Sequence, residues 1–257
     1  MNRFIFLVLF LLLSWVNIFA QLNESDTLKF QARASVTGNY QQGNVNIFTI
    51  RTKADILYSP TKHLVLKSQN SSLYQAFSST KVDNDIFSRN YFYYKPQNKV
   101  YAFGIAYISS NYRRKINTRL FAGAGATWQA LNKKYHVIKL SANVVYETNT
   151  FKGNTFNYSK YNGNNKINVW RSTFFVGGWN YLFNNRLRLY YDAFYQPAFN
   201  DKNNYRTQFE IGADLPIWKG LSFSTLYTFT HENVTITNIK KEDKILSFGV
   251  TYLVRRK

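Results

Sequence analysis

The sequence predicts an all-β protein, a single antiparallel transmembrane β-barrel of about 12 strands. Three observations predict it. Apolar and polar residues alternate with period two along most of the chain. The strands so marked are even in number, and short turns alternate with longer connections between them. Aromatic residues gather at the ends of the apolar faces, where the two edges of a bilayer would lie.

The elements follow in order. In 28–40, Leu28, Phe30, Ala32, Ala34, Val36 and Tyr40 alternate with Lys29, Gln31, Arg33, Ser35, Thr37 and Asn39. In 45–58, Phe48, Ile50, Ala54, Ile56 and Tyr58 oppose Thr49, Arg51, Lys53 and Asp55. The strands at 64–77 and 86–95 alternate less cleanly, and "NYFYYKP" is aromatic on both faces. The strand at 100–109 sets Tyr101, Phe103, Ile105 and Tyr107 against Ala102, Gly104 and Ala106. Clean alternation returns in 117–129 (Leu120 to Trp128 against Arg119, Gly123, Gly125 and Gln129) and 135–148 (Ile138 to Tyr146 against Lys139 and Glu147). It continues through 167–182, 187–196, 205–215, 221–230 and 244–254, whose polar faces carry Arg171, Arg188, Asp192, Arg206, Glu210 and Asp214. Connections after the even strands are tight, such as "SPTKH" and "PIWKG"; those after the third, fifth, seventh, ninth and eleventh read as longer, up to "NTFKGNTFNYSKYNGNNK".

Residues 1–20 read as a signal peptide, with Arg3, the apolar run Phe4–Leu13 and a small residue, Ala20, at the cut. A polar lead, 21–27, precedes a barrel over 28–257, and no composition shift marks a second domain. Outside the first twenty residues no apolar run is long enough for a membrane helix. The expected location is therefore the bacterial outer membrane, after cleavage near Ala20.

Period two does not say which face points inward. Polar faces of Gly, Ser, Thr, Asn, Gln and Arg suit a crowded wet lumen, and 10–14 residue strands fit a tilted bilayer crossing. Tyr40, Trp170, Tyr195 and Tyr205 would ring the long-loop rim, and Tyr58, Trp128, Tyr252 and Trp218 the short-turn rim. The expected lumen residues are Arg33, Arg51, Lys53, Arg119, Lys139, Arg171, Arg188, Arg206, Glu210 and Asp214. They support two readings that the sequence leaves open: a basic interior favouring small anions, or Arg–carboxylate pairs filling a narrow barrel.

Three stretches resemble the bacterial family of salt-induced outer membrane proteins, a family of unknown function: "TGNYQQGNVNIFTIRTKADI", "INTRLFAGAGATW" and "LSANVVYET" with the polar loop after it. The resemblance spans most of the chain beyond the signal and implies an outer-membrane barrel. The chain departs from many such barrels in running past Tyr252 to "LVRRK" rather than ending on an aromatic.

Catalytic chemistry finds little footing. His63, His136 and His231 lack a serine two residues on along the same face, as a lipid-hydrolase pair on a barrel wall would need. No catalytic, cofactor or metal site is expected. "KVDNDI" reads as a solvated loop, lacking an EF-hand pattern, and the glycines of "FAGAGATW" lie in a strand, making room for bulky lumen neighbours. The net charge of +20 raises nucleic acid as a partner, but signal and barrel argue against it; the partners expected are outer-membrane lipids and small anions. The functions in view are a small passive channel with a basic lumen or a stress-related membrane protein. The alternatives are a lipid-modifying enzyme, or a structural or adhesive barrel that binds a partner through loop 149–166.

Overall fold

The computed structural model describes residues 22–42, 46–184 and 186–256. Residues 1–20, expected to form the signal peptide, lie outside them. Twelve antiparallel strands close into one barrel: β1 (Phe30–Gln41), β2 (Ile47–Thr61), β3 (Leu64–Phe77), β4 (Thr80–Tyr94), β5 (Val100–Asn111), β6 (Ile116–Lys133), β7 (His136–Phe151), β8 (Lys166–Leu182), β9 (Leu187–Ala198), β10 (Asp201–Trp218), β11 (Leu221–Glu232) and β12 (Glu242–Arg256). Every strand pairs with its sequence neighbours, and β1 closes on β12 in register from Phe30↔Arg256 to Gly38↔Phe248. Closure leaves no unpaired edge, which a wall facing hydrocarbon requires.

The even-numbered face of β1 points out and the odd-numbered face in, and the same inversion holds around the ring. Val36, Ile56, Leu120, Phe174, Leu246 and Val250 are exposed on the outer wall, while Gln31, Arg51, Glu147, Arg188 and Asp214 are buried inside. Tyr40 at the long-loop rim and Trp218 at the short-turn rim are 68% and 67% exposed. So extensive an apolar exterior, with aromatic rings at both ends, is the surface of a protein solvated by lipid.

Three connections are shorter than the sequence suggests, the one between β5 and β6 being only residues 112–115. β3 and β4 are joined by Ser78–Ser79 alone, both at positive φ (43° and 65°), the backbone of a tight hairpin turn. Ser–Ser lacks the Asn or Gly that announces such a turn, so the polar stretch beyond it reads as loop. It is instead the start of β4, with Asp83 facing inward and fully buried. Likewise β9 and β10 are separated only by Phe199 and Asn200, with a register irregularity between Asp201 and Tyr205 absorbing the bend.

β5 turns its bulky face inward. Tyr101 and Phe103 are buried with Tyr93, Leu57, Val65 and Leu253, while Ala102 and Ala106 face out. Space for this aromatic wall comes from β6, where Gly123 and Gly125 stand in register with Ile105 and Phe103. A Cβ on Gly123 would strike the backbone of Val144 and Val145. Gly123→Ala is therefore expected to cost about 1–3 kcal/mol, measured as a lower urea midpoint for the detergent-folded barrel.

Candidate functional site

The functional geometry lies in the lumen, which divides into a floor, a chamber and a roof. The floor is not built by the wall. Residues 22–27 run inside the short-turn end, with Leu22 buried in the aromatic cluster of β4 and β5. The Glu24 carboxylate lies 2.9 Å from Lys139 Nζ and 3.8 Å from Lys67 Nζ, and accepts a 2.8 Å hydrogen bond from the Tyr101 hydroxyl. Asn23 and Gln31 exchange two hydrogen bonds beside it. Burial alone would raise the Glu24 carboxyl, but the charges of Lys139 and Lys67 outweigh it and hold the group at about 2. Alongside, Asp214 is fully buried between Arg188 (2.5 Å) and Arg33 (3.7 Å) and accepts from the Ser224 hydroxyl.

The upper third is crossed by an Arg–carboxylate network. Glu147, 0% exposed, accepts from Arg171 Nε at 2.9 Å, from Arg206 Nη2, and from Asn149 at 2.6 Å. Arg119 grips Glu232 through two bonds of 2.8 Å. Arg114 joins Glu232 to Asp243, and Arg113 joins Asp243 to Asp83.

Over this network sits a roof made by two loops. Phe156 and Ile236 form a β-bridge and pack with Val234 onto Ile116, Phe151 and Ile167, inward-facing residues of the rim. The Thr237 and Asn157 amides donate across the two loops, to Thr155 and Thr235. Loop 149–166, considered from sequence as a partner-binding loop, is thus folded back against 233–241.

Between floor and roof is a cavity of about 250 Å³. Arg33, Lys53, Lys139, Arg119, Arg206 and Glu210 line it among the sequence-derived lumen residues. Arg51 lies above, bonded to Thr228; Arg171 belongs to the roof network and Arg188 and Asp214 to the floor. Lys53 reaches from β2 to Glu210 on β10 at 3.2 Å. The residues that sequence reasoning missed are Glu24, Lys67, Arg89, Arg113, Arg114 and the aromatic wall. Lys67 and Arg89 sit on the strands whose alternation is weakest, Arg113 and Arg114 lie in a turn, and nothing periodic marks Glu24.

These contacts redistribute the charge. Of the 13 acidic residues, all but Asp26, Asp201 and Glu242 face the lumen or its mouth. Lumen cations are therefore largely matched by carboxylates. The surplus basic residues lie on the rims, such as Lys62, Lys99, Arg186 and Lys219 at one end and Lys115, Lys152, Lys202 and Lys244 at the other.

The three histidines lie apart from one another. His63 is in the β2–β3 turn, His136 bonds Asn180 at the base of β7, and His231 stacks on Tyr205 beside Glu242.

The family described as "Protein of unknown function, DUF481" matches residues 34–253. The chain belongs to the DUF481 family. No curated protein matches it. Among solved structures, this DUF481 protein is similar to the NanC porin, at 11% identity over 86% of this chain and 98% of that one, with a TM-score of 0.51. It is also similar to the translocator domain of the autotransporter NalP from Neisseria meningitidis (11% identity, 98% and 94% covered, TM-score 0.44). A third is LpxR from Salmonella typhimurium (7% identity, 86% and 99% covered, TM-score 0.44). At such identities the likeness speaks to fold: the DUF481 protein is an outer-membrane β-barrel.

Proposed function

We propose that this DUF481 barrel is a non-catalytic, gated pore for small polar solutes, closed at rest by the segment 22–27 below and the paired loops above. One observation carries this reading: the lower closure is a piece of chain outside the barrel wall, whose Glu24 is held by ion pairs to two wall lysines. A segment docked on Lys139, Lys67 and Tyr101 can leave without breaking a single strand pair. With the signal removed near Ala20, it is the start of the mature chain. A barrel serving only as a scaffold would fill its lumen with side chains, whereas here a chamber remains above the docked segment. Because the lumen charges are nearly balanced, ion selectivity in this reading is weak, and the basic rims meet lipid phosphates.

Planar-bilayer recording tests it. The intact protein is expected to open rarely, and Glu24→Gln, which leaves Lys139 and Lys67 without their counter-charge, to open at least roughly tenfold more often. Deleting 22–27 is expected to give a steadily conducting pore. Absence of openings in all three proteins, each shown by heat-shifted gel migration to be folded, would refute the reading.

A further inference from the structure

We infer that the central chamber binds a small linear zwitterion of dipeptide size bearing an aromatic or large apolar side chain. The inference rests on the pore reading and names the solute that its chamber takes. It starts from two charged side chains that the lumen leaves without ionic partners. Arg89 on β4 stacks on the rings of Phe87 and Tyr107, at 5.6 Å from each. Among the described residues no carboxylate lies within ion-pair distance of it. Asp192 on β9 is exposed to the chamber, and among the described residues no Lys or Arg nitrogen lies within ion-pair distance of its carboxylate. Its register neighbour Glu210 is already engaged by Lys53, which leaves the Asp192 carboxylate without a direct ion pair among the described residues.

The fold holds both groups ready. Arg89 is held against two rings, a planar cation offered to a carboxylate. Asp192 faces Gly177 across the β8–β9 pairing, and a side chain there would strike its carboxylate and the Phe175 ring. The glycine therefore keeps the carboxylate clear, and Phe175 lies in register with Phe194 to form an apolar wall beside it.

Position then selects the ligand. β4 and β9 stand five strands apart on the ring, so the two charges face each other across the lumen. A ligand meeting both must carry its ammonium and its carboxylate at opposite ends of a spacer, as a dipeptide does. Rings on both walls suit an apolar side chain between those ends. The cavity of about 250 Å³ lies below the usual ligand-pocket range, which begins near 300 Å³, and so excludes longer peptides.

The test is equilibrium dialysis of the detergent-solubilised full chain, in both the wild-type and Glu24→Gln forms, with labelled Gly-Phe. Its two end-blocked analogues are the comparison: N-acetyl-Gly-Phe, lacking the ammonium, and Gly-Phe-amide, lacking the carboxylate. Saturable binding of one Gly-Phe per chain is expected, with each analogue weaker by roughly 10- to 100-fold. Arg89→Gln should equalise Gly-Phe and Gly-Phe-amide, and Asp192→Asn should equalise Gly-Phe and N-acetyl-Gly-Phe. A misfolded variant would not produce that exchange of preference. No saturable binding in either form, or binding indifferent to both end groups, overturns the inference. Conductance by Glu24→Gln without dipeptide binding would remove this inference and leave the gated pore standing; binding without conductance would do the reverse.

Discussion

Replacing Glu147 by alanine is expected to destabilise the folded barrel by about 3–5 kcal/mol, a large share of the stability of an ordinary domain. Glu147 is 0% exposed and sits between Arg171 and Arg206, with Asn149 donating to it as well. Its pairing with two guanidiniums need not be a large net stabiliser, since desolvating three charges offsets much of their attraction. Losing one partner is another matter. Arg171 and Arg206 would stay buried, facing each other without the anion that separates their charges. Arg171 also donates to the Gln196 and Asn204 carbonyls, so it has little freedom to swing towards water. Urea unfolding in detergent micelles, followed by tryptophan fluorescence, measures the loss. Adding Arg206→Met to Glu147→Ala is expected to recover part of it, since the double variant buries one fewer unmatched cation. A single-variant loss below about 1 kcal/mol would mean that water or a counter-ion already screens the network.

The second large effect concerns acid. Glu24 is held at about 2, below its ordinary 4.5. A carboxyl whose folded value is depressed contributes its stabilisation above the unfolded value and loses it as pH falls through the folded one. For Glu24 that contribution is about 3 kcal/mol to docking of 22–27 at neutral pH. It fades as pH drops from about 4.5 towards 2. Asp26, beside it, works the other way: burial pushes its carboxyl up despite Arg255 nearby, so its protonation in mild acid slightly favours docking. Glu24 has the larger effect, so pore openings are expected to rise steeply below pH about 4 in the wild type. In Glu24→Gln they should already be frequent at neutral pH and change little on acidification. A wild-type pore indifferent to pH over that interval would show that Leu22 and the aromatic cluster, rather than charge, hold the segment.

The barrel was legible because its wall obeys one rule. Where a strand separates lipid from a polar lumen, as in Phe30–Gln41 or His136–Phe151, alternation in sequence is alternation in space. The rule weakens where the lumen is itself apolar. β5 carries bulky residues on one face and small ones on the other, and hydropathy cannot tell that Tyr101 and Phe103 turn inward to meet Leu22. Nor could alternation reveal the charge balance. Asp55, Glu147, Asp192, Glu210 and Asp214 lie on clearly alternating strands, but Asp83, Glu232 and Asp243 belong to strand ends at the loop rim, where the alternation runs out. Glu24 lies in no strand at all. The partners that give these residues meaning are more than a hundred positions away, as with Arg119 and Glu232 or Lys139 and Glu24.

The docking of Glu24 also bears on the order of events during folding. Lys67, Tyr101 and Lys139 belong to three different strands and converge on one carboxylate only after the sheet has curled round on itself. Residues 22–27, which precede every strand in the sequence, are thus among the last to find their contacts, since such distant meetings require long loops to close. Protection of the amino-terminal segment from protease should therefore lag behind the appearance of strand signal during refolding into vesicles, a built-in timer for completion of the cylinder.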